Sequence, residues 1–451
     1  MKIEDRKIGI DWEEIGREAA KILSDYIKIR TVNPPGDEEE AARFLESILK
    51  REGIEPLIMR SAPRRANLIS RLSAKISGGD TSGLILLSHI DVVPVEEDKW
   101  ERDPFGGEIV DGHIWGRGAV DDKGMGVMNL MATILVKRIG IELKRDLVFL
   151  ATADEETGGK YGAGYMVKEQ RERLKGKYLL NEGGAIVTDA LPKGRPLVTV
   201  GAGEKGPLWL KLKRRGTPGH GSVPLPDNAV LRLSEALLRI ERGKRPVIFS
   251  DVMVDFAAGL GDGMGGIKGG VLRLTALPPL RGLIGNIMGK NLSIGAMMRD
   301  TVSVTTFNAG VKENVIPDEA AATLDNRLLP GTDKSEYLDW IKKTMKDDSI
   351  EIEEIFHSPA SRSPVDTDFY GSVKAVAQDM YPDVTVVPMV TSSFTDSRFF
   401  RDIGMVSYGL IPAELTTEEL AAIHGHNERI SERSLTNGVK FVYNLILKLC
   451  A

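Results

Sequence analysis

Histidines and carboxylates with the setting of metal ligands are spread along the whole chain. His89 ends the apolar run Leu84-Ile85-Leu86-Leu87-Ser88, and Asp91 follows two residues later. Asp121 and Asp122 lie in Gly116-Arg117-Gly118-Ala119-Val120-Asp121-Asp122-Lys123-Gly124. Glu155-Glu156 comes after the apolar run at 147–151, Glu182 after the run at 178–181, and His424 near the end. Imidazole and carboxylate without thiolate suit Zn²⁺, with Co²⁺ or Mn²⁺ as alternatives. A hydrolase working with two ions needs ligands for each, and a free carboxylate to take a proton from the attacking water. Adjacent glutamates on an extended strand end point in opposite directions, so one could bind metal while the other faces substrate. An acidic pair by itself is commonly a solvated loop; the apolar strand directly before Glu155-Glu156 argues against that.

Such residues need elements to hold them. At 451 residues the chain exceeds one ordinary core, so two domains are expected. Strand-like runs at 67–72, 84–88, 147–153 and 178–181 alternate with helical stretches. One of these, 38–51, carries Ala41, Phe44, Leu45, Ile48 and Leu49 on one face. This predicts an α/β sheet with helices on both faces. Each candidate ligand then sits at a strand's C-terminal end, where open α/β sheets place their sites. From about 204 to 358 the pattern changes to strand-helix-strand-strand-helix-strand, an inserted α+β two-layer unit. Residues 359–451 resume the first domain, begun at 1–203. The Gly-, Met- and Leu-rich stretch at 250–300 lacks a clean period. It reads as a cover or a mobile flap, and equally as a surface loop.

Composition bounds the partners. With 42% hydrophobic and 28% charged residues the chain is globular, and its net charge of −5 argues against nucleic acid or an anionic membrane. The single Cys450 excludes a disulfide framework and a thiolate site. The start, MKIEDRKIGIDWEE, has no signal-like apolar segment, and no 18-residue uncharged apolar run exists. A cytoplasmic protein is the expectation.

Six motifs together resemble the di-zinc metallopeptidases and amidohydrolases that include carboxypeptidase G, aminoacylase, acetylornithine deacetylase and succinyl-diaminopimelate desuccinylase. They are Ser88-His89-Ile90-Asp91-Val92-Val93-Pro94, the 115–124 segment, Asp154-Glu155-Glu156, Asn181-Glu182-Gly183-Gly184, Gly219-His220-Gly221-Ser222 and His424-Gly425-His426-Asn427-Glu428. The resemblance implies a zinc-peptidase-like catalytic domain with an inserted lid and dimerisation domain. It implies that His89 and Glu182 hold one metal, Glu156 and His424 the other, and that Asp121 bridges. Glu155 would be the general base, and Asp91 would orient His89. A cis peptide at Asp121-Asp122 is implied too.

The spacing His, two residues, Asn, Glu selects His424 over His426; His113 and His357 read as surface residues. By resemblance His220 reaches the partner's active site in a homodimer and stabilises the oxyanion. As plain sequence it is a histidine in a Gly-rich loop. Asn314 and Arg327 match positions that bind a substrate carboxylate, with Arg362 a third candidate; a surface salt bridge is the alternative for Arg327. Thr395 and Gly409 match a segment lining the cleft, and Ser393-Phe394 replaces a Gly pair common there. The implied activity is hydrolysis of an N-acyl-amino acid or small peptide with a free C-terminal carboxylate. A biosynthetic deacylase for acetylornithine or succinyl-diaminopimelate is the first rival, and a non-catalytic binding protein the remote one.

Overall fold

The computed structural model describes residues 9–75, 83–243 and 245–451. The first eight residues, part of the start read above for a signal segment, lie outside the described residues.

Thirteen strands build two main sheets: β1 (Pro56–Ala62), β2 (Arg65–Leu72), β3 (Gly83–His89), β4 (Leu147–Thr152), β5 (Gly176–Val187), β6 (Leu197–Glu204), β7 (Gly206–Arg215), β8 (Thr301–Ala309), β9 (Glu319–Leu328), β10 (Ile350–His357), β11 (Ser361–Arg362), β12 (Thr385–Thr391) and β13 (Val406–Leu415). The larger sheet runs β1-β2-β4-β3-β5-β13-β6-β11, with β12 also paired to β6. Its centre is parallel: β3 pairs with β4 and β5, and β5 with β13, all parallel, while β2 is antiparallel to β4. Every residue of β3 and β4 is buried. Continuous burial is what a parallel strand covered on both faces requires, and it explains their unbroken apolar runs. Helix Lys123–Ile139 is buried from Lys123 to Val136, between the sheet and the helices Trp12–Ile27 and Glu432–Cys450. A helix apolar all round belongs in such a place.

The smaller sheet is antiparallel, ordered β8-β9-β7-β10. Leu208, Leu210 and Leu212 point from β7 into a core of their own, with Leu233 and Leu237 of helix Ala229–Arg242 and Tyr337 and Ile341 of helix Lys334–Met345. Two short connections join the layers: β6 passes through Lys205 into β7, and β10 returns through 358–360 to β11.

The 250–300 stretch is neither a loop nor a flap without structure. It forms helices Asp251–Met264, Gly266–Arg273, Pro278–Met288 and Leu292–Met297. Glycine at contact points hides the helical period. A Cβ on Gly269 would collide with the Gly261 carbonyl, and one on Gly285 with the Phe249 ring. Met253, Phe256, Ile284 and Met288 pack with Val387 of β12. Lys205, at the connection between sheets, donates to the carbonyls of Ala296 (3.1 Å) and Arg299 (2.8 Å) and to Thr301 Oγ1 (2.8 Å). The helices are thereby fastened to the hinge.

Candidate active site

His89 ends β3, the Glu155-Glu156 turn follows the end of β4, and Glu182 lies midway along the neighbouring β5, which brings the three together. His89 Nε2 lies 2.9 Å from Asp121 Oδ1 and 3.9 Å from Glu182 Oε1. His424 Nε2 lies 3.1 Å from Asp121 Oδ2 and 3.4 Å from Glu156 Oε1. Asp121 therefore stands between two groups, turning one oxygen to each. Ligand atoms of His89, Asp121 and Glu156 all lie within 4.8 Å of one another, as do those of His89, Glu155 and Glu182.

The charge balance fits bound cations. Burial pushes the Glu155 and Glu182 carboxyls well above the usual range, and neighbouring carboxylates add to it: Glu182 for Glu155, Asp121 for Glu182. Glu156 is also raised, by burial first, although His424 opposes it. Burial alone would lower His89, but hydrogen bonds with Asp121 and Asp91 overcome that and raise it. Asp121 and Glu156 hold His424 at about 10. Glu156 Oε1 is buried without a hydrogen-bond partner. Four carboxylates around two imidazoles, one with an orphaned oxygen, form a cage short of positive charge, which divalent cations would supply.

Asp91 holds the site together. It accepts from Glu155 N and Glu156 N, both at 3.1 Å, and from Asn33 Nδ2 at 2.8 Å. One carboxylate can collect two successive amides only where they point the same way. Accordingly the glutamates are not extended, as expected above, but form the 3-10 turn Glu155–Thr157. They still diverge, Glu156 towards Asp121 and Glu155 towards Glu182. His89 Nδ1 lies 2.9 Å from the Asp91 carbonyl and 3.5 Å from its carboxylate. The Asp121-Asp122 peptide is cis.

A further set of residues was not expected from sequence. Arg65 donates to Glu38 (2.7 Å), Asp154 (3.1 Å) and Asn33 (3.0 Å), all buried. The Asn33-Pro34-Pro35 segment, which precedes helix Glu39–Arg51, is thus part of the site's support. Glu428, the end of the last motif, is buried. Its Oε1 accepts from Val120 N and Asp121 N, its Oε2 from Gly118 N and Arg117 Nη1. It stands 307 residues from Asp121 in sequence, so its part in holding that loop is set by the tertiary fold.

Beside the cage is a cavity of roughly 380 Å³, with Asp121, Glu155, Glu156, Glu182 and His424 in its wall. Thr395 lines it too. The rest of the lining mixes the apolar Ala185, Met389, Phe394, Ile411, Leu420 and Ile423 with Thr199, Thr391, Ser392 and Ser393. Gly409 is buried, and a Cβ there would collide with the Glu182 carbonyl. Arg327 stacks on Phe394, 4.9 Å from the ring centre, but its fork is taken by Asp325 at 2.8 and 3.0 Å. Within this chain it is a salt bridge rather than an open carboxylate receptor. Buried Arg398 also lies over Phe394, at 4.5 Å. Arg362 is exposed, paired in backbone to Gly203, and does not line the cavity.

His220 and Asn314 are exposed in the smaller layer. His220 Nδ1 is 2.7 Å from Ser222 Oγ, and the Asn314 carbonyl accepts from Gly221 N. Neither lines the cavity of its own chain. His426 lies 3.3 Å from Glu96, away from the cage. His113 is half-buried against Glu419, and His357 half-buried on β10.

Comparison with known proteins bears on this geometry. Over 448 residues, 96% of this chain and 86% of the relative, the sequence is 30% identical to the N-fatty-acyl-amino acid synthase/hydrolase PM20D1 of Xenopus tropicalis. It is 27% identical to aminoacylase-1A of Rattus norvegicus, with 95% of each chain covered. The fold matches an M20 family metallo-carboxypeptidase from Sulfolobus solfataricus with a TM-score of 0.73 at 21% identity, covering 96% of this chain and 99% of that one. Residues 85–448 match the model of peptidase family M20/M25/M40. The chain belongs to that family and is a metal-dependent hydrolase.

Proposed function

We propose that the enzyme hydrolyses the amide bond of N-acyl-amino acids with an apolar acyl group. The carrying observation is the cavity, whose lining combines the carboxylate-histidine cage with the apolar side chains Met389, Phe394, Ile411, Leu420 and Ile423. Its size is in the range of small-molecule sites. The names of the amphibian and rat relatives support the class. Small peptides are the second substrate class, supported by the carboxypeptidase likeness.

His89, Asp121, Glu156, Glu182 and His424 would hold two divalent cations, Zn²⁺ by donor type, which supply Lewis-acid activation when bound. Glu155 is not needed as a ligand. It lines the cavity beside the cage, placed to take the proton of the attacking water and to pass it to the leaving amine. Asp91 orients the His89 ring through Nδ1 and fixes both glutamates through their amides. Phe394, Met389 and Leu420 exclude water beside the acyl group.

The exposed setting of His220 supports a homodimer in which each copy lends this residue to the other's site. The open edge strand β8, with Val304 and Phe307 exposed, would be covered there. On this reading 204–358 forms a lid and dimerisation domain, and 1–203 with 359–451 the catalytic domain.

The test is turnover by the protein reconstituted with Zn²⁺, Co²⁺ or Mn²⁺ on N-acyl-amino acids of increasing chain length, beside dipeptides and N-acetylornithine. The expected result is hydrolysis that improves with acyl length and falls in Met389→Asp. Preference for dipeptides or for N-acetylornithine would overturn it.

A further inference from the structure

The helices from 251 to 297 carry a surface that their own core does not explain. Helix Pro278–Met288 buries Ile284, Gly285 and Met288 against the protein, yet presents Leu283 and Ile287, one turn apart, to solvent. On helix Gly266–Arg273 and its continuation, Ile267, Val271 and Leu274 recur at helical spacing and are exposed, Ile267 to 89%. Leu277 between the helices and Leu292 at the start of the last one are exposed as well, Leu292 to 89%. Helices apolar on both faces need an apolar medium on each. Exposed apolar side chains are ordinary singly, but clustered on one short segment they mark an interaction surface.

Charge selects the occupant. From 263 to 299 the chain has five basic residues, Lys268, Arg273, Arg281, Lys290 and Arg299, and no acidic one. Arg273 pairs with Asp262 just outside this stretch, whereas Lys268 and Lys290 are exposed beside the apolar residues. A two-fold contact of this surface with another copy would set like charges against each other. An anionic lipid surface satisfies both features, taking up the apolar side chains and attracting the lysines. The chain's net charge of −5, which as a whole-chain average argued against an anionic membrane, does not decide the matter for this basic segment, since charges beyond a Debye length of about 8–10 Å are largely screened. No helix among the described residues is long and apolar enough to cross a membrane, so this contact lies on the surface.

We propose that the 263–299 segment docks this enzyme on an anionic lipid surface. Met389 lines the active-site cavity and also packs against the core of these helices, so docking would bring the cavity close to the source of amphiphilic substrates. The docking itself does not depend on the substrate assignment, because its test reads binding rather than turnover.

The test is flotation of the full-length, metal-loaded protein with phosphatidylcholine vesicles, with or without phosphatidylglycerol. The wild type is expected to float only with the phosphatidylglycerol vesicles, and less as salt rises. Lys268→Gln and Lys290→Gln should each weaken partitioning about fivefold, the double variant about 25-fold, taking ~1 kcal/mol per basic residue near the surface. Leu283→Glu with Ile287→Glu should abolish flotation while leaving the melting temperature and the hydrolysis of a short-acyl, water-soluble substrate unchanged. Absence of wild-type flotation, or equal flotation of the variants, would overturn the proposal. So would sedimentation showing that the wild type self-associates and the Leu283→Glu, Ile287→Glu variant does not, which would make the surface a contact between copies.

Discussion

Glu428→Gln removes one charge and changes no shape, which makes it a sharp probe of how the Asp121 loop is held. Glu428 is fully buried and receives four donors: Arg117 Nη1 at 2.6 Å, Gly118 N at 3.2 Å, Val120 N at 2.8 Å and Asp121 N at 3.0 Å. A glutamine has one acceptor oxygen. If it serves Val120 and Asp121, its NH₂ group faces Arg117 and Gly118, donor against donor. The Arg117 guanidinium then keeps the Gly425 carbonyl at 2.7 Å and no carboxylate, with its side chain only 2% exposed. Breaking a buried pair from one side costs about 3–5 kcal/mol, against a total stability of about 5–15 kcal/mol. If the amide flips, Val120 N and Asp121 N are both left unpaired and Asp121 loses its fixed place between His89 and His424. Either way the variant should unfold at clearly lower urea concentration and bind metal more weakly. Urea unfolding of the metal-free protein and metal analysis after dialysis measure the two effects. The Arg117→Met, Glu428→Gln double variant should recover part of the loss, because the stranded cation is gone. A loss under about 0.5 kcal/mol, or strict additivity of the two substitutions, would refute the argument that this charge holds the loop.

Three other outcomes follow from the site. His424→Ala should leave less than the wild-type metal content and His426→Ala the full content; metal analysis of both decides between them. Metal-free protein should lose stability as pH rises. Glu155, Glu156 and Glu182 have carboxyls raised above their ordinary value of 4.5, and His424 is raised to about 10, so each favours folding at low pH and loses that advantage as it deprotonates. Asp121, lowered, acts oppositely but only in acid. Metal requires the deprotonated cage, so the melting-temperature gap between zinc-loaded and chelated protein should widen from about pH 5 to about pH 8, and a constant gap would contradict the charge balance. Finally, Glu155→Gln should lower turnover about 10²–10⁴-fold with metals retained. Mixing it with His220→Ala should restore up to about half the wild-type activity per heterodimer if His220 serves the other subunit's oxyanion; no gain after confirmed subunit exchange would exclude that role.

Local pattern was enough for the α/β layout, while the grouping of the cage residues came from the family resemblance. His89, Glu155-Glu156 and Glu182 are each announced by a buried parallel strand whose apolar run ends where the polar side chain begins, and that grammar is written in consecutive residues. The smaller sheet announced itself through the alternation on β7. The 250–300 helices did not, because glycines at helix contacts erase the apolar period that would mark them. Support for the cage was hidden for another reason. Arg65, Asn33, Glu38 and Glu428 act across separations that no window spans; their partners are chosen by how the strands are ordered. The same holds for Arg327, whose fork Asp325 occupies on the same face of β9, and for Gly409, packed tightly against the Glu182 backbone. Residue types specify what chemistry can occur, since donor atoms and charge belong to the side chain itself. Which carboxylate is starved of partners, which cation is already neutralised and which apolar side chains join the cage in lining the cavity depend on distances between distant segments, and only the folded chain sets those.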